Sequence, residues 1–271
     1  MDFETIIYEK RDGVATITLN RPERMNAFND TMVSEWAAAL EDARVDRDVR
    51  VVIVTGAGRG FCAGADLRAG SGVAEVAAST DTTVSAADRR NWLRDGVQAV
   101  PRAVALLDKP YIGAINGAAV GAGMDMASQC DIRIASEHAR FGMSYARVGL
   151  VPGDGGCWYL PRIVGLPKAL ELIWTADVID AQEALRIGYV SKVVPADRLM
   201  EETMALARRL ADGPAVAIQL AKRLVYRGLD STLLESLEQA AHAMAIVQST
   251  EDAREGPRAF AENRPPRFSS R

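Results

Sequence analysis

The sequence predicts an α/β fold that ends in a helical region, and three observations support this prediction. Two continuous apolar runs, residues 51–54 and Tyr111–Ile115, have the length and composition of buried strands. A glycine-rich turn follows each run, and the second turn leads into a short helix. From Leu166 onward, apolar residues recur at helical spacing almost to the C-terminus.

The composition is that of a globular protein without a strongly charged partner. The chain has 271 residues, of which 48% are hydrophobic and 25% are charged, so it can build a sizeable core. A net charge of -4 gives no overall attraction to nucleic acid or to an anionic membrane, and we expect neither partner. Residues 1–13 lack the features of a signal peptide, and no run is long enough to span a membrane, so we expect a cytoplasmic protein.

Cysteine and histidine usage argues against a disulfide framework and against a metal site. Cys62, Cys130 and Cys157 are odd in number and show no C-x-x-C spacing. With only His138 and His242, a histidine-based triad or a multi-histidine metal site is not expected. We therefore predict no bound metal.

The N-terminal part predicts a hairpin, a helix and a strand in that order. Residues 6–9 and 14–19 alternate as half-buried strands joined by a turn. Asn29 or Asp30 is the expected N-cap of a helix. Its apolar residues recur at helical spacing, namely Met32, Val33, Trp36 and Leu40. Residues 91–107 predict another helix, with Pro101 as a kink or break.

Residues 55–67 form the first glycine-rich turn, which ends in Asp66. A dinucleotide-binding turn is one interpretation, but the third glycine is misplaced for G-x-G-x-x-G and no Tyr-x-x-x-Lys pair follows. Residues 70–88 are rich in Ala, Ser, Thr and Val without a clear period, so we predict an excursion or a weak helix beside a site.

Residues 115–126 form the second turn, around which the predicted site is organised. Gly117, Gly121 and Gly123 let the backbone bend and approach a ligand, and a helix begins near Ala122. The first N–H groups of that helix can bind an anion or a developing oxyanion, and Asp125 in its first turn would lie beside it. The alternative is a simple turn in which Asp125 only complements the helix dipole.

The C-terminal half predicts a third turn followed by helices. In residues 149–156, Asp154 lies at or near the N-cap of a helix over residues 157–164, and both capping and catalysis would explain it. The change from strands and turns to helices near Asp197 predicts a boundary between residues 1–196 and 197–271. One apolar stripe fits either the core or a subunit interface: Leu237, Ala240, Ala241, Met244 and Val247.

Four segments together resemble the crotonase superfamily, also called the enoyl-CoA hydratase/isomerase family. The resemblance rests on residues 20–28, 61–67, 116–131 and 141–153, and it extends to the closing residues 254–260. It implies a β/α spiral core with a helical C-terminal trimerisation region, assembled as a homotrimer or a dimer of trimers. It also implies a coenzyme A thioester substrate, reaction through an enolate, and no tightly bound cofactor.

The resemblance also implies roles for individual residues. The amides of Ala65 and Ala122 would form the oxyanion hole, with Asp125 and Asp154 moving protons and Tyr145 orienting substrate or water. Arg59 would join Arg24 and Arg68 near the phosphates of coenzyme A. The implied coenzyme A contacts are Arg24, Ala27, Ala63, Asp66, Leu67, Arg68, Gly121 and, from a neighbouring subunit, Phe260.

Departures from the family pattern bear on the reaction type. Hydratases of the family carry glutamates at the positions of Asp125 and Tyr145, and a phenol is a poor base near neutral pH. Isomerases have an aspartate at the Asp125 position and a second one in the Gly/Pro turn, here Asp154, displaced by Gly153. A lysine often found near the C-terminus is Asn263 here.

These departures favour isomerisation slightly over hydration. The alternative within the same chemistry is hydration or hydrolysis of a branched or cyclic acyl-CoA, with Tyr145 placing the water. Outside it, a non-catalytic RNA-binding homologue is disfavoured because no helix is dense in Lys and Arg. A nicotinamide oxidoreductase is a more remote alternative. The acyl group is not specified by any readable pattern.

Overall fold

The computed structural model describes residues 2–66 and 85–269, which form ten strands and eleven α-helices. The strands are β1 (Ile6–Arg11), β2 (Val14–Leu19), β3 (Val51–Gly56), β4 (Gly60–Cys62), β5 (Tyr111–Ile115), β6 (Ala118–Val120), β7 (Ile132–Ser136), β8 (Arg140–Gly142), β9 (Val178–Asp180) and β10 (Lys192–Val194). The helices are α1 (Asp30–Val45), α2 (Ala86–Asp95), α3 (Ala99–Leu106), α4 (Ala122–Ser128), α5 (Gly156–Val164), α6 (Leu166–Thr175), α7 (Ala181–Arg186), α8 (Leu199–Ala211), α9 (Ala215–Gly228), α10 (Leu233–Gln248) and α11 (Asp252–Ala261). Three short 3₁₀ helices lie at Pro22–Arg24, Ser144–Val148 and Ala196–Arg198.

The larger sheet has the strand order β1-β2-β3-β5-β7-β10. The β1–β2 pair is the predicted antiparallel hairpin, and the remaining strands are parallel to one another. Alternate residues of β3 face opposite cores: Val52 and Val54 share one cluster with Trp36 of α1, whereas Ile53 lies in a second cluster with Leu199 of α8. Because helices cover both faces, β3 is apolar at successive positions.

The smaller sheet has the order β4-β6-β8-β9 and consists of three-residue strands. Three of them follow strands of the larger sheet along the chain, β4 after β3, β6 after β5 and β8 after β7, so each turn of the spiral adds a strand to both sheets. Glycines allow these turns to stack, since a Cβ at Gly117 would lie 1.9 Å from the Arg59 carbonyl oxygen. The sequence analysis predicted turns where β4 and β6 lie and missed both strands, and it also missed β9 within the predicted helical region.

The predicted helix over residues 91–107 is instead two helices, α2 and α3. The first helix ends at Gly96, whose backbone is not helical. A side chain does not fit at this position, because a Cβ there would lie 2.7 Å from the Trp92 carbonyl oxygen. Pro101 lies in the first turn of α3, where a missing N–H is tolerated. A capping box between Ser85 and Asp88 starts α2 within the predicted excursion, and the rest of that excursion lies outside the described residues.

The C-terminal helices attach to the sheets through α8 and α9. Asp131, just before β7, accepts hydrogen bonds from the Tyr111 amide (2.7 Å) and the Tyr226 hydroxyl (2.8 Å), and pairs with Lys222 of α9 at 2.8 Å. The predicted domain boundary falls within the 3₁₀ helix at Ala196–Arg198 and stays a prediction.

The apolar stripe on α10 is not in the core of a single chain. Leu237 and Met244 are 56% and 57% exposed, which leaves the subunit-interface interpretation for them. In the part of the chain described, no helix combines the length and apolarity that crossing a bilayer requires.

Candidate functional site

The start of α4 offers an uncommitted backbone amide at Ala122. Gly121 is the N-cap, with φ of 56°, and its N–H donates to the Gly142 carbonyl oxygen at 2.8 Å. The Gly121 carbonyl in turn accepts from the amides of Met124 and Asp125. Ala122 is the first helical residue, so its N–H has no acceptor within the helix. Among residues 2–66 and 85–269, none accepts a hydrogen bond from it.

A second uncommitted amide lies at Ala65, opposite Phe28. The Phe28 amide donates to the Gly64 oxygen and the Asp66 amide donates to the Phe28 oxygen, both at 2.9 Å. In such a parallel bridge, the N–H of the intervening Ala65 points away from Phe28. No acceptor for it is found in the described ranges.

The two segments that carry these amides are in contact. Gly64 has φ of 91°, and a Cβ built on it would lie 3.3 Å from the Ala122 nitrogen and 2.9 Å from the Val120 oxygen. Only a residue without a side chain fits this approach. The predicted pair of small residues therefore lies on adjoining backbone segments, with N–H groups that have no acceptor among the described residues.

Asp125, Tyr145 and Asp154 form a buried cluster beside α4. The Tyr145 hydroxyl lies 2.8 Å from Asp125 Oδ2 and 3.1 Å from Asp154 Oδ2, and it has one proton to donate between them. The Asp154 amide donates to Asp125 Oδ2 at 3.2 Å. Within the described part of the chain, both Oδ1 atoms are buried without a hydrogen-bond partner. The two aspartates predicted to move protons and the tyrosine predicted to orient substrate or water are therefore brought together.

Burial controls the protonation of this cluster. Burial first, and the charge of Asp154 second, raise the pKa of Asp125 to about 7. Burial raises the pKa of Asp154 to about 6, although its hydrogen bond with Tyr145 acts in the opposite direction. Burial and the two carboxylates raise the pKa of Tyr145 well above its ordinary value. The carboxyl pair can therefore both hold and release a proton near neutral pH, whereas the phenol stays protonated.

The capping interpretation of Asp154 is wrong. Gly155, with φ of 106°, is the N-cap of α5, and no side chain caps this helix. The next residue, Gly156, gives space to Asp125, because a Cβ there would lie 1.9 Å from Asp125 Oδ1. The Asp154 carboxyl turns instead toward Tyr145.

Two glutamines that the sequence analysis did not single out hold the turn that carries Asp154. Gln98 Nε2 donates to the Gly153 oxygen at 2.8 Å, and Gln129 Nε2 donates to the Asp154 oxygen at 2.9 Å. Gln129 follows Asp125 by four residues, so the two share a helix face. That spacing was the one signal in the sequence that could have found Gln129.

The residues predicted to contact coenzyme A differ in what they touch. Arg21 pairs with Asp66 at 3.0 Å and donates to the Ala27 oxygen. Asp66 and Ala27, both predicted coenzyme A contacts, are therefore bonded to Arg21 of the same chain. Ala63 is exposed and its amide donates to the Met25 oxygen at 3.0 Å.

The remaining predicted contacts are more peripheral. Arg24 is half-buried at the end of a 3₁₀ helix, and Arg59 is exposed. Phe260 on α11 is 86% exposed. Leu67 and Arg68 lie outside the described residues. Over the described ranges, no three His, Cys, Asp or Glu side chains are grouped so as to hold a metal ion.

Comparisons with known proteins point to one family over nearly the whole chain. The profile of the family described as enoyl-CoA hydratase/isomerase matches residues 9–271. A probable enoyl-CoA hydratase of Rhodobacter capsulatus is 38% identical, with 100% of each chain covered. The 1,2-epoxyphenylacetyl-CoA isomerase of Escherichia coli is 36% identical, with 99% of each covered.

The fold has a close counterpart among solved structures. A crystal structure of an enoyl-CoA hydratase subunit from Geobacillus kaustophilus superposes with a TM-score of 0.89 at 36% identity, with 100% of each chain covered. This match confirms the predicted α/β fold of crotonase type, including the presence of the helical C-terminal region.

Proposed function

The chain belongs to the enoyl-CoA hydratase/isomerase family and is an acyl-CoA enzyme of that type, and we propose that it catalyses double-bond isomerisation through a thioester enolate. The observation that carries the proposal is the buried cluster of Asp125, Tyr145 and Asp154. Coenzyme A enters as part of the substrate.

The amides of Ala65 and Ala122 would stabilise the enolate. Removing a proton next to a thioester places negative charge on the carbonyl oxygen, and two N–H donors bind that charge more strongly than the neutral carbonyl. Both amides lack an acceptor among the described residues, and their segments touch at Gly64. Losing one such donor typically lowers the rate by about 100- to 1000-fold.

The two aspartates would divide the proton transfers. In a shift from a 3-enoyl to a 2-enoyl thioester, an ionised carboxylate takes a proton from the α-carbon, and a protonated carboxyl returns one to the γ-carbon. No atom is added overall. Because the pKa values of Asp125 and Asp154 are about 7 and about 6, one of each form is accessible near neutral pH. Tyr145 would hold the pair in register, since its raised pKa makes it a poor base.

Hydration is the second candidate, and the hydratase name of the Rhodobacter capsulatus relative favours it. In that reaction, Tyr145 would place a water molecule that the carboxyl pair deprotonates. Reaction of a 2-enoyl-CoA in ¹⁸O-labelled water separates the candidates. Oxygen appears at the β-carbon after hydration, whereas isomerisation leaves the acyl chain without added oxygen.

Substitution of both aspartates tests the proposed roles. Purified protein is supplied with a panel of 2-enoyl- and 3-enoyl-CoA esters, and each of Asp125→Asn and Asp154→Asn is expected to lower kcat by about 100-fold or more, because a general acid or base is removed. Asp197→Asn, at an exposed position, is the matched control. Normal turnover by the double variant would rule out carboxylate catalysis at this site.

A further inference from the structure

Both main-chain groups of Asp154 are held by side chains at α4, one from the helix and one from Gln129, its C-cap residue. Its N–H donates to Asp125 Oδ2 at 3.2 Å, and its carbonyl oxygen accepts from Gln129 Nε2 at 2.9 Å. Asp125 and Gln129 are four residues apart, so they project from one face of the helix. One helix and its C-cap residue therefore fix the peptide groups on both sides of the Asp154 carboxyl.

Burying the Gln129 carboxamide lowers the stability of the folded chain more than burying an apolar side chain of similar size would. It is 1% exposed, and its Oε1 has no hydrogen-bond partner in the described part of the chain. A leucine or methionine of similar volume would avoid burying that oxygen. The hydrogen bond from Nε2 to Asp154 is the contact that a hydrocarbon side chain does not supply.

A cleft borders the buried Gln129 side chain. A cavity of about 440 Å³ lies between α3, α5 and α9, and Gln129 is part of its wall, together with Trp158 and Lys222. The hydrogen bond from Gln129 Nε2 therefore adds a directional restraint on the Asp154 turn to those from Gln98 and Asp125.

We propose that Gln129 is a positioning residue that sets the separation of the Asp154 and Asp125 carboxyls, and so the way in which they share protons. The inference rests on the proposed function. It requires a donor at the Nε2 position, because the partner atom is a carbonyl oxygen. Gln98, which bonds the preceding Gly153 oxygen, restrains the turn without touching the residue that carries the carboxyl.

Gln129→Leu and Gln98→Leu form the matched pair for the test, with 2-enoyl- and 3-enoyl-CoA as substrates. Gln129→Leu is expected to lower kcat by about 10- to 100-fold with little change in KM, because reacting groups are displaced. It also moves the alkaline limb of the kcat profile to lower pH, because the Asp154 charge that raises the Asp125 pKa moves away from that carboxyl. Gln98→Leu leaves that limb in place. Equal displacement of the limb by both variants would reduce Gln129 to a general support of the turn and overturn the proposal.

Gln129→Glu adds a signature that loss of packing does not produce. An ionised glutamate has no proton for the Asp154 oxygen, whereas a protonated one can donate. The ratio of its kcat to that of wild type, measured at the same pH, is therefore expected to rise as the pH falls. A constant deficit across the pH range contradicts the proposed donor role.

A double-mutant cycle separates this inference from the proposed function. In an Asp154→Asn background, Gln129→Leu is expected to cause no further loss of kcat, because its target carboxyl is gone. Additive losses would overturn the positioning role. If Asp154→Asn itself turns over normally, the proposed function fails; if it is impaired while Gln129→Leu has wild-type kcat and pH profile, only the positioning role fails.

Discussion

Asp125 and Asp154 show how burial sets the chemistry of a single residue type. Each carboxyl has one oxygen directed at Tyr145 and another that is buried without a partner in the described ranges. Burial disfavours the charged form, so the pKa of both rises, and the Asp154 charge raises that of Asp125 further. The fold thus sacrifices some stability to keep proton-exchanging groups at this position.

A pH-dependent stability is expected from these pKa values. In the unfolded chain the Asp125 pKa returns to near 3.8, whereas in the folded chain it is about 7. Between these values the folded state binds more protons than the unfolded state, so this contribution to stability is fully present below pH 3.8 and is lost as the pH rises through 7.

The neutral variant Asp125→Asn lacks this loss. Its melting temperature relative to wild type is therefore expected to be higher at pH 8 than at pH 5, as measured by calorimetry. Asp197→Asn, on the surface, serves as the control and should show no such pH-dependent difference. A difference for Asp125→Asn that is the same at both pH values would contradict the raised pKa.

Among individual residues, the sequence pointed to side chains that can act as acids, bases or hydrogen-bond donors in the predicted site. It did not point to the side chains that hold them in place. Asp125 and Tyr145 could be proposed because a carboxylate beside a glycine turn and a phenol in a matching segment carry recognisable chemistry. Gln98 could not, because an amide that donates to a distant carbonyl has no fixed spacing in the chain, and for Gln129 the four-residue spacing from Asp125 was the one available signal. Asp66 was assigned to coenzyme A, whereas its pairing with Arg21 depends on residues 45 positions apart.

At the scale of elements, long periodic segments were predictable and very short strands were not. The Asn29 cap and the apolar run of β3 follow from local chemistry, and both are confirmed. Strands β4, β6 and β9 have three residues each, which is too few for an alternating pattern to show. β4 and β6 form because each follows a strand of the larger sheet, which brings successive turns of the chain into register, whereas β9 pairs antiparallel with β8 after a helix.

The attachment of α9 to the larger sheet depends on Asp131, which bridges three groups. Replacing it with Asn removes the negative charge that Lys222 and Tyr226 both face. The single side-chain oxygen of Asn can still accept the hydrogen bond from the Tyr111 amide. Asp131→Asn is expected to lower the free energy of unfolding by about 1–3 kcal/mol, because charge-assisted hydrogen bonds are lost in a partly buried site. Urea denaturation measures the change.

Asp230→Asn is the matched control for this prediction. Asp230 pairs with Arg162 at 3.0 Å, but its side chain is 59% exposed. Surface pairs of this kind contribute about 0–1 kcal/mol. Equal losses of stability in the two variants would show that Asp131 is no more than another surface charge.

At the scale of the whole molecule, one chain leaves a broad apolar surface uncovered on its C-terminal helices. Its exposed members lie on α9, α10 and α11 and in the α9–α10 connection: Val225, Leu229, Leu233, Leu234, Leu237, Met244, Ile246 and Phe260. Surfaces of this kind mark interaction sites. These exposed side chains are consistent with self-association, and on the family resemblance we propose a homotrimer or a dimer of trimers, with Phe260 contributing to a neighbouring subunit's coenzyme A site.

Light scattering coupled to size-exclusion chromatography tests the assembly. Wild-type protein is expected to elute with a multiple of three chains, and Leu234→Glu on the exposed face of α10 should shift the mass toward a single chain, because a charge is placed in the buried contact. Glu238→Gln, a change of charge on the same helix, is the control. A wild-type monomer at micromolar concentration would contradict the expected assembly.

The pairing of β4 with β6 carries a consequence for how such a protein can diversify. The segments bearing Ala65 and Ala122 leave neighbouring strands of the smaller sheet, so main-chain hydrogen bonding sets the distance between them rather than any side chain. Substitutions at positions 125, 145 and 154 would exchange the acid and base while leaving that backbone scaffold unaltered. New reactions could thus arise by single side-chain substitutions while the two backbone amides stay in place.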